Sequence, residues 1–508
     1  MPHVEAWRRT TAVGVALGAT LLFVVLATLN SGGYRYGVSD QAFYIPAIRH
    51  HLDPQLFPRD WPMLASQDRL NVCTAAVALA ARITGLSLPV LFCLTYIATL
   101  LVLFWALVAL GRALFRSWWT VAALAAAMTL RHRVVQTGVN TLEGYMHPRM
   151  LAFAVGTAGV AMFLRGRSWL ALALAAAASL VHPTTGVWFC AWVGVAAWVS
   201  DRRARTPLAA AAVALGAAAA AWVAWGGAAG ALFTRMDPAW LSVLGTKDYL
   251  FPSAWHVWAW VLMLAYPVLV ALLHRSRVRA GIAGARERGL VAGSLALFVV
   301  LLASLPLIAA RFATAVQLQV PRVLWMIELL ITACLVWWLV ERPLRARAAA
   351  GIPRRRLVIV GAIALFAATR GGYVTFVEHP GRAVLQLDLA AGDWRDAMGW
   401  LARTPASAHV LADPGHAWKY GSSVRAAAGR DVFQEEAKDA AFALYSRATA
   451  IRVLTRIGEI GDFQQMSAVR ARALAEQYDL DYLVAEQPID LRVAYRNARF
   501  TIYSLKEW

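Results

Sequence analysis

The sequence is poor in charge, in lysine and in cysteine. Charged side chains make up 15% of its 508 residues and hydrophobic ones 60%, and the mean hydropathy is +0.54. A soluble globular chain carries about a quarter of its residues charged. That class is excluded, and a polytopic α-helical membrane protein is expected. Lysine occurs only at Lys247, Lys419, Lys438 and Lys506, so arginine carries the net charge of +20. The arginines form no continuous basic stripe of the kind nucleic acid requires. They fall in short clusters between apolar segments: Arg112/Arg116, Arg165/Arg167, Arg202/Arg203/Arg205, Arg275 to Arg288 and Arg342 to Arg356. This is the positive-inside pattern that fixes membrane topology. The cysteines, Cys73, Cys93, Cys190 and Cys334, lie in or beside apolar segments at no metal-ligand spacing. They are expected as small buried apolar residues, not as disulfides or zinc ligands. No Gly-rich phosphate loop, internal repeat or low-complexity linker is present.

What is present is a series of apolar segments. Arg8 and Arg9 precede the first, Thr11 to Leu29, which places the N-terminus in the cytosol. The residues after it, Leu29-Asn30-Ser31-Gly32-Gly33, make a poor signal-cleavage site, so this segment is expected as an uncleaved first helix. A long polar loop, residues 30–85, follows. Within it Met63 to Thr84 is interrupted by Asp68, Arg69 and Arg82 and is expected to lie in the membrane interface. Further spans are read at Leu86–Leu110, Trp118–Leu130, Met150–Leu164, Ser168–Val181, Thr185–Val199, Pro207–Trp225, Ala254–Leu273, Gly289–Ala309, Val323–Val340 and Leu357–Ala368. About eleven spans put every arginine cluster on the cytosolic face and the tail outside. The expected division is a transmembrane domain over residues 1–369 and an extracytoplasmic α/β domain over 370–508. In the latter, Trp394, Met398 and Leu401 share one helical face, and Arg492 to Leu505 reads as a hairpin turning near Asn497. Strands are read at His409–Ala412 and Tyr482–Ala485, and helices at Glu435–Ile457 and Ser467–Tyr478.

Ionisable residues gather in the external loops. Asp40 emerges just beyond the first helix, followed by Arg49, His50, His51, Asp53, Arg59 and Asp60. Asp40 either serves chemistry or caps a helix starting at Gln41. Glu143, Tyr145, His147 and Arg149 fall within seven positions, with Pro148 opening the next helix. They either bind an anion at a helix N-terminus or form a solvated loop. His182 occupies a tight turn between two spans, and Arg311 and Arg322 flank the last external loop. These three either clamp a phosphate or contact lipid headgroups. Glu328 lies inside a span, where an acid needs a partner, such as an arginine from another helix. The histidines and acids near Asp53 match no sharp metal motif, and the question of a divalent cation stays open.

A first helix that delivers an acid into a long external loop, then an interfacial helix, further spans and an external C-terminal domain, resembles the GT-C superfamily of integral-membrane glycosyltransferases. Asp40 stands where that superfamily keeps its first-loop acid, with Phe43-Tyr44 as the following aromatic pair. Gln41 departs from the two adjacent acids of many members. The tail, with Trp394, Trp400-Leu401-Ala402-Arg403-Thr404-Pro405 and Arg499-Phe500-Thr501-Ile502-Tyr503, is similar to tails of bacterial membrane proteins of this layout. The resemblance implies an inverting enzyme of the bacterial cytoplasmic membrane with its site facing the periplasm. It would move a sugar from a polyprenyl-phosphate carrier to a hydroxyl of a glycan, lipid or protein. Asp40 would be the general base and Glu143 a second catalytic acid. Arg49, Tyr145, His147, Arg149, His182, Arg311 and Arg322 would contact substrate or phosphate. Transfer from a phosphate leaving group needs one base and no general acid. A flippase of lipid-linked sugars and a non-catalytic scaffold are the alternatives. The first is disfavoured by the absence of inverted repeats and paired helix breaks.

Overall fold

A computed structural model describes residues 2–225, 233–342 and 352–506. Parts of the Gly226–Ser253 loop and of the Arg342–Arg356 cluster lie outside these residues. The helices that carry the apolar segments are α1 (Pro2–Asn30), α5 (Leu88–Leu114), α6 (Trp118–Met128), α7 (Pro148–Leu164), α8 (Ser168–Val181), α9 (Pro183–Ser200), α10 (Arg202–Trp225), α12 (Val257–Arg279), α13 (Ala285–Ala309), α15 (Val323–Val340) and α16 (Ile352–Tyr373). Six described segments are long and apolar enough to cross a bilayer unaided: Ala12–Asn30, Leu88–Leu114, Val257–Arg279, Ala285–Ala309, Ala313–Val340 and Arg354–Glu378. The chain is a multi-pass membrane protein. Small residues let the helices close up, as they must where lipid removes the hydrophobic drive between helices. A Cβ on Gly156 would meet the Phe189 ring at 2.4 Å. Phe153 in turn stacks on Trp325 at 4.1 Å.

The interfacial stretch is two helices, α3 (Trp61–Asp68) and α4 (Cys73–Thr84), not one interrupted helix. At 8 and 12 residues they are each too short for a hydrocarbon core of about 30 Å. The break follows from Asp68. Its carboxylate is taken by His51 at 2.9 Å and by the Thr74 hydroxyl at 2.6 Å, which folds α4 back over the first loop. Among the described residues Glu328 pairs with no arginine. It pairs with His132 at 3.0 Å and accepts from the Tyr266 hydroxyl at 3.0 Å.

The first loop is built around a close backbone approach. Gly32 and Gly33 take φ of +75° and +84°, a region closed to most side chains. The turn lets β1 (Tyr34–Arg35) pair in parallel with β4 (Leu385–Gln386) beyond the last membrane helix. On its other side, a Cβ on Gly144 would sit 2.4 Å from the Gly33 carbonyl oxygen, and the Arg35 N–H donates to the Gly144 carbonyl at 2.8 Å. The first loop, the loop carrying Glu143 and the connector to the C-terminal domain are thereby sewn together. Helix α2 (Gln41–Leu52) follows directly.

The C-terminal domain carries a five-stranded sheet in the order β6 (Asp431–Val432), β5 (His409–Ala412), β7 (Tyr482–Ala485), β9 (Thr501–Ser504), β8 (Val493–Arg496). The first three strands are parallel, β9 runs antiparallel to β7, and β8 antiparallel to β9. Alternation sorts its side chains to two covered faces. Val410, Val484 and Ile502 pack with Trp394, Met398 and Leu401 of α17 (Asp393–Leu401). Leu411, Leu483 and Tyr503 pack on the other side with Leu474 of α22 (Ala468–Tyr478). The helix expected over Glu435–Ile457 is two, α20 (Glu436–Phe442) and α21 (Arg447–Ile460). Ser446 divides them: its extended backbone starts α21 and its side chain accepts from the Thr449 N–H.

Candidate functional site

Asp40 precedes α2, and its side chain makes no capping hydrogen bond. The carboxylate turns away from the helix instead. Oδ2 lies 3.2 Å from Nε2 of His147, and Oδ1 accepts from Nζ of Lys438 at 2.9 Å. Ser39, immediately before it, holds φ at +52°. A left-handed non-glycine residue beside a cluster of polar groups is the kind of backbone strain that functional sites keep.

His147 is the N-cap of α7, and its Nδ1 accepts from the Arg149 N–H at 3.0 Å. The neutral ring therefore carries its proton on Nε2 and donates it to Asp40. Burial, and then the Arg149 charge, hold His147 below the usual histidine range. Burial drives the Asp40 carboxyl upward, but Lys438 first and His147 second outweigh it and hold the group well below the ordinary carboxylate range. Asp40 is thus ionised at neutral pH, with 29% of its side chain still accessible.

Gln41 is fully buried beside it. Its Oε1 accepts from the Gly37 N–H at 2.6 Å, and its Nε2 donates to the Met146 carbonyl at 3.3 Å. That bridge ties the first loop to the His147 loop. It needs a donor and an acceptor on one side chain, which an ionised acid does not offer.

A polar cavity and a polar side-chain cluster adjoin the Asp40–His147 pair. The first is a cavity of about 300 Å³ between the first loop, the Glu143 loop and the C-terminal domain. Arg35, Arg131, Glu143, Tyr145, Trp418 and Lys438 are among its lining residues. Glu143 receives Nη2 of Arg149 at 3.0 Å and Nδ2 of Asn140 at 3.1 Å, with Nη2 of Arg131 at 3.5 Å. The Tyr145 ring lies 5.9 Å from the His147 ring. Burial first, then the Asp40 charge, push the Tyr145 hydroxyl far above its usual range.

The cluster is formed by His182 and Arg322. Their rings and guanidinium share Thr184: Nη1 of Arg322 donates to its hydroxyl at 2.7 Å, and His182 Nδ1 lies 3.5 Å from it. The His182 ring is 6.1 Å from that of His147. Arg322 is 7% exposed, has no carboxylate partner among the described residues, and leaves its Nε without an acceptor. Gln319, one turn earlier, holds φ at +48°. Burial first, and then the Arg322 charge, keep His182 well below the usual histidine range. A buried guanidinium with no counter-charge is costly unless an anion joins it.

The structure therefore brings together Asp40, Glu143, Tyr145, His147, Arg149, His182 and Arg322. Arg149 is engaged with Glu143 and with the Gly138 carbonyl, and its Nε is buried without an acceptor. Arg49 lies in neither the cavity nor the cluster. It lines a separate cavity of about 530 Å³ with Arg395 and Arg403. Arg311 lies over the Phe251 ring at 5.0 Å. The histidines and acids of the first loop disperse: His50 stacks on Trp61 at 3.6 Å, His51 pairs with Asp68, and Asp60 is taken by Arg425. Among the described residues no three of His, Cys, Asp or Glu gather as a metal site.

Neither a family model nor a curated protein matches the chain. Among solved structures it is similar to the apo Archaeoglobus fulgidus oligosaccharyltransferase, at 12% identity and a TM-score of 0.47, over 93% of this chain and 69% of that one. The same enzyme tethered by a disulfide to an acceptor peptide containing an NVT sequon aligns at 13% identity and a TM-score of 0.43, with the same coverage. Scores below 0.5 do not equate the two folds.

Sequence reasoning missed Lys438. The side chain comes from α20, 398 positions after Asp40, and rests over the rings of Phe43 at 5.0 Å and Trp418 at 5.4 Å. One signal was available: it is one of four lysines in a chain that otherwise uses arginine. An ammonium is a compact point charge that fits an aromatic-walled niche, where a planar guanidinium reaches further.

Proposed function

We propose that the chain is a GT-C-type glycosyltransferase of a bacterial cytoplasmic membrane. It moves a sugar from a polyprenyl-phosphate carrier to an acceptor hydroxyl at the external face of the bilayer, with inversion. The observation that carries this reading is the convergence of an ionised, partly open Asp40 with a buried Arg322 that lacks a counter-anion. The donor phosphate supplies that anion, held by Arg322 and His182. The acceptor oxygen attacks the anomeric carbon as the bond from that carbon to the phosphate oxygen breaks. The proton of the attacking hydroxyl passes to Asp40, and polyprenyl phosphate leaves with the bonding electron pair. The carboxylate, held low by Lys438, is a weak base. It receives the proton late, when the forming glycosidic bond has made the hydroxyl strongly acidic. Glu143 fixes Arg149 and through it the His147 ring, and stands as the second acid of the site.

The test is to extract the full-length protein, wild type and Asp40→Asn, and identify co-purifying lipids by mass spectrometry. The expected result is a polyprenyl-phosphate sugar enriched in the Asn variant, whose turnover is blocked while its donor site is intact. Absence of any such lipid from both, together with no polyprenyl phosphate released from added donor, overturns the reading.

A further inference from the structure

An apolar cavity of about 950 Å³ lies between α1, α5, α6 and α16. Its walls include Ala19, Leu22, Phe104, Trp105, Ala122 and Val360, and many are open to the bilayer: Trp105 is 49% and Leu22 56% exposed. The groove extends from Ala12 and Trp118 at one end to Leu26 and Thr129 at the other. That second end lies close in the chain to the polar cavity. Ser31, one turn beyond Leu26, and Arg131, just beyond Thr129, both line it. The groove and the cavity thus share the ends of α1 and α6.

The polar cavity carries a surplus of positive charge. Lys438 is matched by Asp40, and Glu143 by Arg149. Arg131 retains only a 3.5 Å contact to Glu143. The Arg35 side chain makes no hydrogen bond or ion pair among the described residues, and its Nε is buried without a partner. Burial, and then the neighbouring charge of Arg382, depress its proton affinity. That is the condition of a cation waiting for an anion.

Resting on the glycosyl-transfer reading, we propose that the acceptor is itself a membrane lipid with an anionic, hydroxyl-bearing headgroup. Its chain lies in the α1–α5–α6–α16 groove, its phosphate meets Arg35 and Arg131, and its hydroxyl reaches Asp40 from the polar cavity. The donor approaches from the opposite side, at Arg322 and His182. A lateral groove open along its length suits a substrate that arrives by diffusion in the bilayer, and it gives a soluble glycan or a folded protein nothing to bind.

Phosphatidylglycerol, which has an anionic phosphate and free headgroup hydroxyls, is the probe, with phosphatidylcholine as the zwitterionic control. Full-length protein in nanodiscs of an equal mixture is transferred to detergent, and retained lipid is counted by native mass spectrometry. Wild type should retain phosphatidylglycerol over phosphatidylcholine. Arg35→Gln should lower that preference by about 10- to 100-fold, as expected for loss of a charge-assisted hydrogen bond. Ala122→Phe and Ala19→Phe fill the groove from exposed positions and should reduce retention of the chain, with the melting temperature of each variant checked against wild type. Equal retention of both lipids, or unchanged retention in both groove-filled variants, overturns the proposal. Loading of a polyprenyl-phosphate sugar, measured in the same samples, reports the donor side separately. Its absence from both wild type and Asp40→Asn, with no polyprenyl phosphate released from added donor, sinks the transferase reading. Its presence alongside unselective lipid retention sinks only the lipid acceptor.

Discussion

Lys438 of the C-terminal domain and Asp40 of the first loop form a 2.9 Å ion pair across the seam between the two halves of the protein. The pair makes the C-terminal domain part of the site. It also fixes the state of the carboxylate proposed as the base, since Lys438 is the strongest influence opposing its burial.

Asp40→Asn should lower turnover by roughly 10²- to 10⁴-fold, the range expected for loss of a general base. A capping role would predict near-neutrality, because Asn caps a helix about as well as Asp. Asp40 makes no side-chain cap, so that route is closed. Steady-state kinetics with donor binding measured in parallel decides it: wild-type rates in the Asn variant would end the catalytic assignment.

Lys438→Met should shift the pH profile. With its first counter-influence gone, burial pushes the Asp40 carboxyl upward against His147 and Arg149 alone. More of the protein is then protonated at mildly acidic pH, so the acid limb of kcat moves to higher pH. An unmoved limb with a uniformly lower rate would show that Lys438 acts elsewhere.

Arg322→Met should separate function from stability. Arg322 has no carboxylate to orphan, so its loss should leave the melting temperature unchanged or raise it, while donor KM rises. Arg277→Met is the contrast. Arg277 contacts Glu287 through Nε at 2.8 Å and Nη2 at 2.9 Å, both residues being buried. Removing it should cost about 3–5 kcal/mol. Similar thermal shifts in the two variants would contradict the assignment of Arg322 as an unfilled anion site.

A second seam contact should carry most of the docking. Asp60 is fully buried with Nε of Arg425 at 2.6 Å, and Arg425 also meets Asp439 at 2.6 Å. Arg425→Ala leaves buried carboxylates without a cation, and the expected loss is again about 3–5 kcal/mol. It should appear as protease cleavage between the membrane helices and residue 393. Asp431 beside them has its proton affinity raised, by burial first and the Asp60 charge second. The folded form holds a proton that the unfolded chain releases above about 3.9. Asp431 therefore contributes stability at low pH that is lost as pH rises through its raised value, and Asp431→Asn should flatten that slope in thermal melts.

How much of this was legible beforehand follows from how local each feature is. The α17 face of Trp394, Met398 and Leu401 and the β8–β9 hairpin rest on neighbours a few positions apart, and periodicity reveals them. The Glu143–Arg149 strut and the His147 N-cap lie within one loop and could be guessed as a cluster, though not who pairs with whom. Lys438, Arg35 as a cavity wall and the dispersal of His50, His51 and Asp60 depend on partners far away in the chain, and composition cannot supply these. The split at Ser446 was hidden because its flanks are good helix formers.

The C-terminal domain is expected on the external side of the membrane. A periplasm-dependent reporter fused after Trp508 should be active, as the arginine clusters require. A reporter active only in the cytosol at that position would invert the topology.

The seam has a consequence for how the protein is made. The ribosome delivers Asp40 with the first helix and Lys438 398 residues later. Until that residue is made, the membrane helices and the first loop have no ammonium opposite the carboxylate. The strongest influence holding the Asp40 carboxyl low is then missing, and His147 and Arg149 alone oppose its protonation. The charge state of the first loop is therefore completed only when the C-terminal domain folds onto it.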